Sequence, residues 1–531
     1  MLLSALLLAL SACTSTPPER PPLRLTILHT NDHHGRFWPN AEGEYGMAAR
    51  KTVIDRVRAE VAAAGGQLLL LDGGDINTGV PESDLQDAEP DITGMNLLGY
   101  DASTVGNHEF DKSPEVLAKQ RTWARFAWVS ANIYKDGKRL FEPYAVFERG
   151  GYKIAVLGLT TDDTAKLVLP ENVRGIEFRK PAEEAARLLP ELRAKADMVI
   201  AATHMGHYTD GQRGVNAPGD VEMARTTRGL DLIVGGHSQN PVCMLAENLR
   251  NDAYIPGTPC APDRQNGTWI VQAHEWGKYV GRADFEVRAG DIRLLKYELI
   301  PINLKRRNAD GSRVTYTATI PEDPGLRAVL QPFQERGQLR LNVPVGVAVG
   351  VFDADRERVR KQPTNLGTMV ARSMMERTGA DLAVMNSGGL RDSLPEGALS
   401  YRDLLQVQPF GNQIATVRLQ GSELLTWLAA AAAMTPGAGG FAQTAGVQMR
   451  IEGQVLKEAR VQGRAIEPLR DYVLAINHFT ATGGDGYPPL NKHPGYVNTG
   501  LVDVEVMREY IAKRSPIKAA DYAPAGEVQR N

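Results

Sequence analysis

Short apolar runs alternate with amphipathic stretches from Leu23 to about Pro301. Each run is rich in Leu, Ile and Val and is short enough to form a buried strand. The runs are Leu25–Leu28, Leu68–Leu71, Ile154–Leu159, Met198–Ala202 and Leu230–Val234. Helical spacing occurs between them, as in Met47–Ala64 and Ala182–Lys195. This alternation predicts an α/β layered domain in which helices cover the sheet.

A second, smaller α/β unit is predicted to follow. The polar stretch Lys305–Arg313 is predicted to be a loop, and the spacing of Asp323–Leu339 predicts a connecting helix. The second unit contains predicted strands and helices at Val343–Phe352, Thr364–Thr378, Asp381–Met385, Ser422–Met434 and Tyr472–Asn477. We therefore expect one domain over 23–320, a linker helix over 321–341 and a second domain over 342–531. The linker predicts two domains that move relative to each other.

The composition is that of a soluble globular protein. Of its residues, 43% are hydrophobic and 23% are charged, both normal for this class. The length of 531 residues predicts two or three domains. The net charge of -3 provides no overall basic field to hold a nucleic acid polymer. An anionic ligand must therefore be small and must meet local positive charge.

The first 22 residues are predicted to lie outside the fold as a signal peptide and tether. The stretch MLLSALLLALSAC is apolar, ends in small residues and is too short to span a bilayer. Leu10–Cys13 resembles a bacterial lipobox, which would make Cys13 the lipidated residue. The alternative is a cleaved signal with a chance cysteine. Both predict the periplasm or cell envelope, with an outer-membrane lipid anchor if Cys13 is modified.

Two cysteines remain after Cys13, namely Cys243 and Cys260. An even pair in an exported chain predicts a disulfide, here closing a local loop rich in Asn, Pro and Gly. Two buried free thiols are the alternative.

Polar residues beside glycine follow four of the predicted strands named above and a fifth predicted strand, Ala102–Val105. The segments are Asn31–Gly35, Asp72–Asp75, Gly106–Asp111, Thr203–His207 and Gly235–Gln239. Ligands bind at the carboxyl ends of strands in α/β sheets. We therefore expect these segments to meet in one cleft at one sheet edge.

The residue types in these segments suit a metal ion. Asp32 and His34 are two positions apart, so they point the same way on an extended backbone. Carboxylate and imidazole are common ligands of zinc, manganese and iron. No CxxC or HExxH motif competes for this role. His207 and His274 are expected to be structural histidines.

Five motifs carry a resemblance to a known family. In chain order they are D-x-H, G-G-D, G-N-H-E-F-D, T-H-M-G-H and G-G-H-S-Q. This series resembles the calcineurin-like metallophosphoesterases, and more narrowly the bacterial periplasmic 5'-nucleotidase / UDP-sugar hydrolases. The similarity covers nearly the whole mature chain, including Gly74–Pro90, Gly267–Phe285 and Ala481–Pro488. It implies a four-layer first domain, with sheets sandwiched by helices, and a smaller α/β C-terminal substrate domain.

The resemblance implies two divalent metal ions of the zinc, manganese or cobalt type. One ion would be held by Asp32, His34, Asp75 and Gln239, and the other by Asp75, Asn107, His204 and His237. Many relatives have histidine where Gln239 stands. His108 would contact the phosphoryl oxygen, and Asp111 would orient its ring.

The resemblance also implies a nucleotide pocket in the second domain. It selects Arg356, Arg360 and Arg391 as substrate contacts, Phe410 and Phe479 as a clamp around the base, and Asn412 and Asp485 as hydrogen-bonding groups. Residues 356–360 taken alone would be interpreted as an exposed charged run, and the Phe rings as core residues. In this family the second domain swings through a large angle, which would make residues 323–339 the hinge region.

The resemblance implies an enzyme that releases phosphate from nucleoside 5'-phosphates and cleaves UDP-sugars at the pyrophosphate. The nucleophile would be a metal-activated water. The enzyme is expected to be a monomer. Two alternatives stay open. One is a relative that acts on 2',3'-cyclic nucleotides and 3'-nucleotides with the same metals. The other is a non-catalytic nucleotide-binding lipoprotein.

Overall fold

Two six-stranded sheets form the first half of the protein. The computed structural model describes residues 20–169, 171–209, 218–288, 290–308, 311–526 and 528–530. The first sheet has the strand order Asp291–Pro301, Tyr279–Arg288, Leu23–Thr30, Gln67–Asp72, Ala102–Thr104 and Ala127–Val129. The second has the order Asp263–Gln265, Thr268–Val271, Leu232–Val234, Met198–His204, Tyr152–Thr160 and Tyr144–Arg149.

The two sheets pack face to face, and helices cover their outer faces. Leu25 and Ile27 of the first sheet share one buried cluster with Ile154 and Ile200 of the second. Helices Met47–Ala63, Glu89–Leu98 and Pro114–Trp123 cover the first sheet, and helix Pro181–Lys195 covers the second. The central strands are buried along nearly their whole length, so both faces of each sheet are covered. The predicted four-layer α/β architecture is confirmed.

The second half is built on a five-stranded sheet. Its strand order is Ala442–Ala445, Leu382–Asn386, Asp471–Asn477, Gln413–Gln420 and Tyr496–Val502. Helices Asn365–Thr378 and Asp503–Arg514 pack on one face. Helix Gly421–Ala432 and a four-stranded sheet pack on the other. The strands of that four-stranded sheet are Arg464–Ala465, Val455–Val461, Val447–Glu452 and Val528–Arg530.

The segment between the two halves differs in part from its prediction. Residues 305–313 were predicted to be a loop, but Lys305–Arg307 and Arg313–Thr315 pair as antiparallel strands. Polar residues can form such a hairpin because an exposed two-stranded ladder needs no apolar face. The connecting helix is present at Pro324–Leu341, where the Asp323 side chain accepts a hydrogen bond from the Leu326 amide at 2.7 Å.

A buried carboxylate joins both halves to the connecting helix. Glu82 lies in the short helix Pro81–Asp84 of the first half and is fully buried. It accepts hydrogen bonds from Arg402 Nε of the second half at 2.6 Å and from Gln334 Nε2 of the connecting helix at 3.3 Å. The two halves are therefore in direct contact beside the connecting helix.

Cys243 and Cys260 form the predicted disulfide, with a Cα–Cα distance of 5.0 Å across 17 positions.

The lipobox prediction at Leu10–Cys13 lies outside the described residues. In the part of the chain that the structure describes, no helix has both the length and the apolar character needed to cross a membrane.

Candidate metal centre and nucleotide pocket

The five polar segments meet in one cleft, but they come from two sheets. Strands Leu23–Thr30, Gln67–Asp72 and Ala102–Thr104 belong to the first sheet, and strands Met198–His204 and Leu232–Val234 to the second. The prediction of a single sheet edge was therefore wrong. The cleft is shared because the two sheets pack with neighbouring carboxyl ends, as the close approach of Gly73 and Gly236 shows.

Four predicted ligands form one side of the cluster. Asp75 Oδ2 lies 2.9 Å from His204 Nε2. His237 Nδ1 lies 2.9 Å from Asn107 Oδ1 and 3.2 Å from His204 Nε2. Asp75, His204 and His237 form a group whose ligand atoms could hold a metal ion.

The other predicted ligands lie beside this group. His34 Nε2 is 3.7 Å from Asp75 Oδ2 and 3.8 Å from Asp32 Oδ1. It is also 2.6 Å from the side-chain Nε2 of Gln239. Asp32 Oδ2 accepts a hydrogen bond from the His237 amide at 2.9 Å. His34, Asp75 and His108 form a second group that could hold an ion. All seven predicted ligands therefore lie in one cluster.

Most of these ligands adopt an unusual backbone conformation. Five have positive φ, namely Asp32 (51°), His34 (51°), Asp75 (59°), His237 (77°) and Gln239 (57°). Residues other than glycine are uncommon in this region, and such strain concentrates at functional sites. The surrounding fold holds these side chains in place against an intrinsic cost.

The histidine tautomers fit metal ligation. His204 Nδ1 lies 2.7 Å from the Gly73 carbonyl oxygen, and His34 Nδ1 lies 2.8 Å from that of Thr78. A carbonyl oxygen only accepts, so each Nδ1 carries the proton. Each Nε2 then faces the cluster and is the atom that would bind a metal ion.

The electrostatics of the cluster also favour a cation. Burial raises the pKa of Asp32 to about 7. Burial and the neighbouring His204 lower the pKa of His237 to about 3. For His204, burial acts to lower the pKa, but the carboxylates of Asp75 and Asp32 outweigh it and raise the pKa to about 10. Divalent ions would supply the positive charge that these buried carboxylates need.

His108 and Asp111 lie beside the cluster as a pair. His108 Nδ1 is 2.6 Å from Asp111 Oδ2, and His108 Nε2 faces Asp75 Oδ2 at 3.9 Å. Burial acts to lower the pKa of His108, but Asp111 and Asp75 outweigh it, so the pKa is raised. Both carboxylates therefore stabilise the protonated form of the ring.

Comparison with known proteins agrees with this geometry. The calcineurin-like phosphoesterase family matches residues 25–241, and the 5'-nucleotidase C-terminal domain matches residues 341–492. UshA of Yersinia enterocolitica is 55% identical over 514 residues, covering 95% of this chain and 94% of that protein. A 5'-nucleotidase of Vibrio cholerae is 52% identical, covering 99% of this chain and 98% of its own length.

The chain belongs to the 5'-nucleotidase family. The crystal structure of a 5'-nucleotidase precursor from Thermus thermophilus matches with a TM-score of 0.80 and 28% identity, covering 96% of this chain and 99% of that chain. The protein is thus a metal-dependent phosphoesterase that hydrolyses nucleotides, and the predictions of family, fold and enzyme class are confirmed.

Three arginines of the C-terminal half, Arg356, Arg360 and Arg391, lie near one another, and the first contacts the cluster of predicted metal ligands. Arg356 Nη1 donates a hydrogen bond to Gln239 Oε1. Burial and the neighbouring Arg356 lower the pKa of Arg391 to about 10, and burial with Arg356 and Arg391 lowers that of Arg360. Neighbouring cations disfavour one another's charged form, and an anion between them would relieve this repulsion.

The two predicted clamp rings lie in different surroundings. Phe410 stacks on His108 with 5.9 Å between ring centroids, and Arg391 lies 5.7 Å from the Phe410 centroid. The Phe479 ring packs against Gly484, next to Asp485. Asp485 Oδ2 accepts a hydrogen bond from Asn386 Nδ2 at 2.7 Å.

The remaining predicted residues have structural contacts. Asn412 is buried, and its backbone carbonyl oxygen accepts a hydrogen bond from the Asp503 amide at 2.8 Å. His207 Nε2 lies 2.9 Å from Asp263 Oδ2, and His274 stacks on Tyr279 with 6.1 Å between ring centroids.

Sequence reasoning assigned no role to Glu109, although it lies within the motif G-N-H-E-F-D. Its side chain is buried and accepts hydrogen bonds from backbone amides of the segments that carry the predicted ligands. Its position inside a predicted ligand segment, directly after His108, was the signal available in the sequence.

Proposed function

We propose that this enzyme hydrolyses nucleoside 5'-phosphates to nucleoside and phosphate, and UDP-sugars at the pyrophosphate. The observation that carries the proposal is the contact between Arg356 and Gln239, which brings the cationic pocket onto the cluster of ligand-type side chains. A phosphate bound by the arginines would therefore lie beside the metal centre. UDP-sugars enter the proposal from the resemblance to UDP-sugar hydrolases.

We propose two ions. Asp32, His34, Asp75 and Gln239 would hold one, and Asp75, Asn107, His204 and His237 the other. The mixed oxygen and imidazole ligand set suits zinc, manganese or cobalt. When bound, the ions neutralise the phosphoryl oxygens and supply a water of lowered pKa.

The side chains near the metals have distinct proposed tasks. His108 donates a hydrogen bond to a phosphoryl oxygen, where negative charge accumulates in the transition state. Asp111 accepts a hydrogen bond from His108 Nδ1 at 2.6 Å, which fixes the ring and stabilises its imidazolium form, in which Nε2 also carries a proton. Arg356, Arg360 and Arg391 bind the phosphate oxygens through charge-assisted hydrogen bonds.

The other end of the pocket would bind the nucleoside. Phe410 and Phe479 stack on the two faces of the base, which tolerates any base because each presents a π-face. Asn412 and Asp485 add hydrogen bonds to the base or ribose. The pocket would therefore accept many nucleotides.

The proposal extends to organisation and location. The catalytic domain spans 23–320, the linker helix 321–341 and the substrate domain 342–531, and the second domain moves relative to the first. The enzyme is a monomer of the periplasm or cell envelope, with a lipid on Cys13 as its anchor. The disulfide between Cys243 and Cys260 supports an oxidising compartment.

The direct test is phosphate release from AMP by the purified mature chain, with and without EDTA. UDP-glucose and 2',3'-cyclic AMP are the comparison substrates. We expect metal-dependent turnover of AMP and UDP-glucose, with little activity on the cyclic nucleotide. A preference for the cyclic nucleotide would instead assign the phosphodiesterase function. Binding of AMP without any turnover would indicate a non-catalytic nucleotide-binding protein.

A further inference from the structure

The Glu109 carboxylate collects four backbone amides from two ligand-bearing segments. Its Oε1 accepts hydrogen bonds from Ile76 at 2.9 Å and Asn77 at 3.2 Å. Its Oε2 accepts from Asp75 at 3.2 Å and Gly106 at 2.6 Å. The side chain is 1% exposed, so these amides replace its hydration shell. One side chain thereby links the loop of Asp75 to the loop of Asn107.

The loop of Asp75 is also hydrogen-bonded to a third segment that carries predicted ligands, residues 32–35. The carbonyl oxygens of Gly74, Asp75 and Ile76 accept hydrogen bonds from the amides of Asp32, His34 and Gly35, at 2.9, 3.0 and 2.9 Å respectively. The amides of residues 75–77 thus donate to Glu109, while the carbonyl oxygens of residues 74–76 accept from residues 32–35. Asp32, His34, Asp75 and Asn107 are all connected to Glu109 through backbone hydrogen bonds.

Only a carboxylate of this length satisfies all four donors. Each oxygen of Glu109 accepts two amides, which uses the acceptor capacity of an ionised carboxylate. An amide side chain would place an NH2 group against two of the four N–H donors. An aspartate, shorter by one methylene, would not reach both loops. The close approach of the two loops also requires glycine at position 106, because a Cβ atom there would overlap Asp75 Oδ1.

We propose that Glu109 is a positioning residue that sets the metal affinity of the site, acting through backbone rather than by ligation. The inference rests on the metal centre of the proposed function. Glu109 holds the strained loops that present Asp32, His34 and Asp75 in the arrangement that accepts metal. Without it, these loops relax, and binding of metal must order them again.

The test uses Glu109→Gln and Glu109→Asp in the full-length mature chain. Glu184→Gln is the matched control, because Glu184 is also 1% exposed but is bonded to Tyr134 and Arg139 away from the cleft. Each protein is stripped with EDTA and titrated with Mn²⁺ alone, with binding measured by calorimetry. Thermal unfolding is recorded in EDTA.

We expect Glu109→Gln to weaken Mn²⁺ binding by about 10- to 100-fold, the range for residues that orient metal ligands. Glu109→Asp should weaken it by less, and Glu184→Gln should leave it unchanged even if it lowers the unfolding temperature. At saturating Mn²⁺ the KM for AMP should stay within twofold of the parent. Parental Mn²⁺ affinity in the Glu109 variants would overturn the inference.

A measurement on the parent decides the case if the variants do not fold. In EDTA, hydrogen exchange at the amides of residues 75, 76, 77 and 106 should be slow, because Glu109 binds them without metal. Exchange as fast as in an unstructured peptide would overturn the inference. A parent that binds no Mn²⁺ would contradict the proposed function instead, so the two failures are distinguishable.

Discussion

Arg356 of the C-terminal half donates a hydrogen bond to Gln239 of the N-terminal half, although the two residues lie 117 positions apart. Gln239 is a proposed metal ligand and Arg356 a proposed phosphate contact. The two halves therefore meet at the proposed reaction site. The amide oxygen that Arg356 contacts is the atom that a metal ion would require.

Arg356→Ala should raise the KM for AMP by about tenfold or more, because a charge-assisted hydrogen bond contributes about 1.5–3 kcal/mol. The matched control is Arg358→Ala, on the same short helix but ion-paired with Asp353 at 2.6 Å and exposed. Steady-state kinetics of phosphate release measures both. An equal change in KM in the two variants would show that position 356 has no specific contact with substrate.

Phe410→Ala and Phe479→Ala should each weaken binding of AMP by about 1–3 kcal/mol, the contribution of one base-stacking contact. A small aryl phosphate lacks the base, so its KM should change much less. The ratio of KM values for the two substrates is the measurement. Equal effects on both substrates would contradict the clamp.

His29 should make the fold sensitive to acid. The residue is fully buried, neither ring nitrogen has a hydrogen-bond partner in the described chain, and burial lowers its pKa to about 3. In the unfolded chain the pKa is about 6.5. Between these values the unfolded state binds a proton that the folded state does not, so stability falls with falling pH by about 1.4 kcal/mol per unit. Above about pH 6.5 the effect disappears.

His29→Leu should remove this component, so that the free energy of unfolding changes less between about pH 6 and pH 4.5. Urea denaturation at each pH is the measurement. Leu28→Ala, at a fully buried position of the same strand that does not titrate, is the control and should leave the slope unchanged. A slope in His29→Leu equal to that of the parent would rule out this origin.

Replacing both Cys243 and Cys260 by Ser should lower the free energy of unfolding by about 3 kcal/mol, the entropic effect expected for a loop of this length. The disulfide spans 17 positions, and Cys243 is buried. Reduction of the parent should produce the same shift in a urea titration. An unchanged midpoint in both experiments would show that the loop is held by its packing alone.

Much of the fold could be predicted because its signals are local. Apolar runs such as Leu68–Leu71 mark strands that are buried on both faces, and the polar residues after them mark strand ends. The assignment of strands to two sheets could not be predicted, since strand length and periodicity do not encode which strands pair. Lys305–Arg307 was missed for a similar reason, because its partner strand has no apolar pattern.

The candidate site was predictable as a set of residues but not as a set of pairs. Side chains such as Asp75 and His204 have ligand chemistry that a motif reveals. The contacts of Glu82 with Arg402 and of Arg356 with Gln239 depend on how two domains pack, which no local pattern specifies. Glu109 was overlooked because its partners are backbone amides, which carry no sequence signal.

The central claim is that the cluster around Asp75 holds two divalent ions on which nucleotide hydrolysis depends. The most direct measurement strips the mature protein with EDTA, adds back Mn²⁺ in steps, and follows bound metal and phosphate release from AMP together. The account predicts no turnover in the stripped protein, and full turnover only when two ions are bound per chain. Undiminished turnover of AMP by the metal-free protein would contradict it.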